Sequence, residues 1–168
     1  MHIDEVVKIN NLYHGTNQSF KSFDDKFLGK AAGIGNIKAH WFASDGRNPT
    51  KAAKQYGEKL DKNNVYIYKV FVEVKSKCVV NSDDRIYDQL DTSQKSYLRK
   101  NKTRLSKRMT FQELINENEE SVWNTLISID ILVIRNWTPD NSFCREYLAV
   151  LTTSKKDLCL IEIEKCYR

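Results

Sequence analysis

Val65-Tyr66-Ile67-Tyr68-Lys69-Val70-Phe71-Val72-Glu73-Val74 is the most regular stretch of the chain. Tyr66, Tyr68, Val70, Val72 and Val74 alternate onto one side, while Lys69 and Glu73 fall on the other. A repeat of two marks a strand with one buried face. Working outward, Asn11 to Gly15 reads as a short strand ending at a turn, and Ala39 to Ala43 as a short apolar segment. Ile131 to Ile134, Arg145 to Thr152 and Leu158 to Glu164 read as later strands, the last with Cys159, Ile161 and Ile163 on one side. Helix punctuation lies between these runs. Asn48 can cap a helix that has Pro49 in its first position and Gly57 at its stop. The stretch from about 81 to 127 is predicted helical, with Ile86 and Leu90 one turn apart. Within it, Thr110 and Glu113 have the spacing of a capping box, with Met109 and Leu114 as the hydrophobic staple. Leu114, Ile115, Val122 and Leu126 are placed to face the core. Strands at both ends around a helical middle predict an α+β fold. The expected organisation is a single domain over 1–168, with 81–127 as a helical insertion.

The 168 residues suffice for one core, and 11% aromatic residues exclude a disordered chain. A net charge of +5 fits an anionic ligand such as a dinucleotide or nucleic acid, and fits a lysine-rich surface equally well. The basic run from Arg99 to Arg108 has the same two readings, a phosphate-contacting surface or a solvated helix face or loop. Cys78, Cys144, Cys159 and Cys166 lack C-x-x-C spacing and no His cluster accompanies them, so reduced thiols are expected and no metal. No apolar run approaches the ~20 residues of a membrane span. The start, Met1 to Glu5, lacks the basic and apolar regions of a signal peptide, and a cytoplasmic protein with no membrane partner is the expectation.

Three local features carry chemistry. In Leu12-Tyr13-His14-Gly15-Thr16, a His at a strand end is followed by a Gly that lets a flat ligand approach the backbone. Taken alone, a His of this kind is more often a satisfied structural residue than a ligand-binding one. In Trp41-Phe42-Ala43-Ser44 and Ala52-Ala53-Lys54-Gln55-Tyr56, two aromatics flank small residues, which makes either a slot for an aromatic ring or ordinary core. In Cys144-Arg145-Glu146-Tyr147-Leu148-Ala149-Val150, Glu146 shares a strand face with Leu148 and Val150. A carboxylate on an apolar face is costly to bury, so either Glu146 sits at the strand's rim, in a cleft, or the register differs; an exposed edge Glu fits the sequence as well.

In that order, these motifs resemble the ADP-ribosyltransferase superfamily, in its His-Tyr-Glu branch that includes diphtheria toxin and the poly(ADP-ribose) polymerases, and its small bacterial and phage domains. The resemblance spans about residues 11 to 164. It implies a split antiparallel β-sheet core and NAD as co-substrate. It also implies a mono-ADP-ribosyltransferase that releases nicotinamide and modifies a macromolecular acceptor, protein or nucleic acid. By resemblance, His14 bonds the adenosine-side ribose, Gly15 clamps the nicotinamide carboxamide through its backbone, and Tyr56 stacks on the nicotinamide. Trp41 takes the place of the branch's first tyrosine, and Glu146 binds the 2′-hydroxyl of the nicotinamide ribose. Thr16 and Phe42 flank these positions on the cofactor side. The sequence departs from the pattern at Trp41 itself, at Ala53 where many relatives have Ser, at Cys144 where arginine-modifying relatives have Glu or Gln, and in an extra turn at Asp45 to Asn48. Two alternatives stand beside this reading: an NAD glycohydrolase, and a non-catalytic module that binds NAD or nucleic acid.

Overall fold

The computed structural model describes residues 5–25, 39–44, 54, 58, 61–100, 108–116, 120–137 and 146–167. Seven strands form one sheet: β1 (Val6–Thr16), β2 (His40–Ala43), β3 (Tyr66–Lys75), β4 (Val79–Asn81), β5 (Val133–Trp137), β6 (Tyr147–Val150) and β7 (Cys159–Tyr167). Their order is β4-β5-β6-β2-β1-β3-β7. Every neighbouring pair is antiparallel except β4 with β5. The sheet is long in register on both sides of β1–β2, but those two strands are joined through the single pair Tyr13↔Ala43. That narrow seam divides it into two halves, the split α+β architecture that the motifs implied.

The alternation of β3 is realised as expected. Tyr68, Val70, Val72 and Val74 are at most 1% exposed, while Lys69, Phe71 and Glu73 are half-buried on the other face. β1 is longer than the Asn11–Gly15 stretch that its sequence suggests, because a bulge allows pairing to continue. The register with β3 shifts between Ile9 and Leu12, and Asn11 sits at φ 60°. Asn is among the few residues that tolerate this left-handed conformation. The extra residue lets Ile9 and Leu12, three apart, both enter the same core cluster.

Between β4 and β5 lie α1 (Ile86–Gln89), α2 (Thr92–Lys100), α3 (Phe111–Asn116) and α4 (Glu120–Ser128). The capping box at the start of α3 is formed. The Glu113 amide donates to Thr110 Oγ1 at 3.2 Å, and the Thr110 amide to Glu113 Oε1 at 3.4 Å. Asp91 and Gln94 make the same reciprocal pair ahead of α2, at 2.7 and 3.0 Å. Ile86, Leu98, Phe111, Leu114 and Leu126 from these helices pack with Ala43, Ile134, Trp137, Tyr147 and Ala149 into one cluster. The second cluster joins Leu12, Phe42, Val70, Val72, Val133, Leu148, Val150 and Cys159, so side chains from both halves of the sheet meet in it. Burial pushes the Cys159 thiol up to about 12, with Cys78 nearby adding to the effect, so Cys159 packs as an unreactive hydrophobe. No helix among the described residues is long and apolar enough to cross a membrane.

Candidate functional site

His14 stands on β1 beside the seam. Continuing the Tyr13↔Ala43 register by one residue places it opposite Phe42, which pairs in turn with Leu148. Its ring is enclosed by Phe23, Phe42 and Phe20, with centroids at 5.2, 5.8 and 6.5 Å. Its Nδ1 donates to the Trp41 carbonyl at 2.8 Å. Burial lowers its pKa from 6.5 to about 4; the bond to Trp41 opposes this, and nearby His40 adds to it. The imidazole is therefore neutral near pH 7. With the proton held on Nδ1 by a carbonyl, which can only accept, Nε2 is left as an acceptor.

The alternation of the strands distributes the other expected residues over two faces. His14, His40, Phe42 and Leu148 share one face, and Glu146 falls on that same face one step ahead of Leu148. Glu146 is exposed just before β6, where its carbonyl accepts the Ser44 amide at 3.1 Å and the Ser44 hydroxyl at 3.2 Å. The rim position is thus the one it takes, two strands across from His14. Gly15 and Trp41 lie on the opposite face, in one cross-strand row when the register is continued. Gly15 is itself buried in the sheet.

Trp41 is half-buried and its ring lies 4.8 Å from that of Trp137, at 51°. Trp137 in turn lies 6.4 Å from Tyr147. Neither Trp41 Nε1 nor Trp137 Nε1 has an acceptor among the described residues, although both atoms are buried. Phe42 is fully buried and lies against His14, so it supports that ring from within the core. Thr16 is 8% exposed, and its hydroxyl accepts the Gln18 amide at 3.3 Å, turning the chain at the end of β1. Tyr56, Ala53, Cys144 and the stretch 101–107 of the basic run lie outside the described residues. Of the helix expected between Asn48 and Gly57, Lys54 is described as helical, as is Glu58 just beyond it; their side chains are 3.9 Å apart.

The structure also assembles a cluster that the sequence reading missed. His40 Nε2 donates to Asp25 Oδ1 at 3.0 Å, as do the Thr153 amide at 2.7 Å and the Thr153 hydroxyl at 2.9 Å. The Thr152 hydroxyl donates to Asp25 Oδ2. Burial alone would raise the Asp25 pKa, but the donors from His40, Thr152 and Thr153 outweigh it and hold the carboxyl below the usual carboxylate range. Phe23 presents its ring edge-on to both His14 and His40, at 5.2 and 5.8 Å. Asp25 thereby ties the segment after β1 to β2 and to the end of β6. No spacing could have signalled this, since the partners are 15 and 127 or more positions apart in sequence.

A family model described as "ADP-Ribosyltransferase in polyvalent proteins" matches residues 8–149. No curated protein and no solved structure matches the chain. The matched span runs from β1 into β6, and so takes in His14, the seam with Trp41, and Glu146. The chain belongs to the ADP-ribosyltransferase family of polyvalent proteins.

Proposed function

We propose that this protein transfers a single ADP-ribose unit from NAD to a macromolecular acceptor and releases nicotinamide. The observation that carries this reading is the commitment of His14. Its Nδ1 is held by the Trp41 carbonyl and its ring is neutral, so Nε2 is available to accept a ribose hydroxyl. We assign Gly15, Trp41 and Tyr56 to the nicotinamide by resemblance; Gly15 is buried and Trp41 half-buried, on the face of the sheet opposite His14.

Scission of the ribose–nicotinamide bond sends the bonding pair to nicotinamide and leaves positive charge on the sugar carbon and ring oxygen. A fixed carboxylate beside that ribose stabilises the charge as it develops, and Glu146 at the rim of β6 is the group assigned to it. The acceptor's nucleophile forms the new bond to the same carbon and gives its proton to solvent. The basic run from Arg99 to Arg108 is the surface we assign to docking an anionic acceptor, a contact that weakens as salt rises.

The test uses purified protein, labelled NAD and a cell lysate, with Glu146→Gln in parallel. Label should enter a macromolecule with the wild type. It should fall by about 100-fold or more in the variant, the size of effect for one preorganised charge-stabilising group. Protease and nuclease digestion then identify the acceptor class. Nicotinamide release without macromolecular label identifies a glycohydrolase, and absence of any NAD binding overturns the enzymatic reading.

A further inference from the structure

Trp137 reaches the face of the sheet that carries Trp41 only because β5 contains an extra residue. Val133 pairs with Val150 and Ile134 with Ala149, but Trp137 pairs with Tyr147. In unbroken register Trp137 would stand opposite Glu146, on the face of Leu148 and Val150. The slip turns it to the face of Ile134, Tyr147 and Ala149, in whose cluster it is buried to 5% exposure. The turn is made at Asn136, at φ 57°. Ser82, itself fully buried, pins the spot. Its amide donates to the Arg135 carbonyl at 2.9 Å and its hydroxyl donates to the Asn136 carbonyl. A bulge of this kind re-aims a side chain, and bulges are enriched beside active sites. The Trp41 and Trp137 rings lie 4.8 Å apart at 51°, so each restricts the orientation of the other.

We propose that Trp137 is a positioning residue for the nicotinamide-side pocket: it sets the tilt of the Trp41 indole and through it the affinity for NAD. This rests on the functional reading above. Trp137 need not touch the ligand, and its effect should appear in binding rather than in the chemical step.

Two readouts test it, one of which needs no NAD. In a Trp123→Phe background the emission comes from Trp41 and Trp137 alone. Adding Trp137→Leu should make the remaining Trp41 emission more accessible to acrylamide, while Trp137→Phe, which keeps a ring, should restore much of its protection. With NAD, Trp137→Leu should raise KM about tenfold, the equivalent of one good contact, with kcat within about twofold of wild type. Asn136→Val, which disfavours the left-handed conformation, should reproduce the KM change, and Asn136→Gly should not. If Trp137→Leu fails to fold, this Asn136 pair decides the question. Unchanged quenching and KM in a folded Trp137→Leu protein overturn the proposal. Wild-type protein that neither binds nor turns over NAD overturns the functional reading instead, and the quenching series still shows whether Trp137 holds Trp41.

Discussion

His14 gains its chemical character from what surrounds it. Burial among three phenylalanine rings keeps the imidazole neutral, with a pKa near 4 in place of 6.5, although the Trp41 carbonyl pulls the other way. Between those two values the unfolded chain binds a proton that the native chain refuses, so stability is full above pH 6.5 and falls as pH drops toward 4. The loss should reach up to about 3 kcal/mol, at 1.36 kcal/mol per pKa unit. Urea unfolding at pH 7 and pH 4.5 measures it, and His14→Gln should flatten that part of the profile. Parallel slopes for the two proteins would mean that His14 is solvated in the native state. Position 14 was legible as a candidate in Tyr13-His14-Gly15-Thr16. Its tautomer was not, because the Trp41 carbonyl that fixes it is 27 residues away.

At the scale of elements, local chemistry was legible and register was not. The box between Thr110 and Glu113 spans three residues, so both its sequence signature and its two backbone bonds lie within one helical turn. Thr110→Ala should cost about 1 kcal/mol, as loss of an N-cap usually does. Thr110→Asp, which retains a cap acceptor, should recover most of that in the same denaturant titration. The bulges at Asn11 and Asn136 carry no comparable signature. Asn is common in loops, and only pairing with β3 and with β6 converts these two into the points where a strand gains a residue. β4, with three residues and a parallel partner more than 50 positions later, falls where the sequence begins to read as helical.

For the molecule as a whole, Asp25 joins three segments that are distant in sequence. Its depressed pKa means that the stability it contributes is present above the unfolded value of 3.8 and is lost as pH falls below it. This window lies below that of His14, so the acid limb of a stability profile should show two stages. Asp25→Ala should lower stability at pH 7 by roughly 2 kcal/mol, less than for a fully buried pair because the carboxylate is 33% exposed. It should also remove the lower stage while leaving the upper. A single-stage profile in the wild type, or an unaltered lower stage in the variant, would show that the cluster does not couple these segments.

The sequence alone determined the alternation of β3, the capping box, the α+β class, and a set of motifs whose order carries family membership. These are properties of neighbouring residues or of their succession along the chain, and they survive without knowledge of the fold. Tertiary structure alone decided that His14 and Glu146 share a face while Gly15 and Trp41 share the other. It decided equally that Asp25 and His40 form a hydrogen-bonded pair, and that a bulge delivers Trp137 to Trp41. The face of a strand residue flips with every unit of register, and register is set by pairing between segments far apart in sequence.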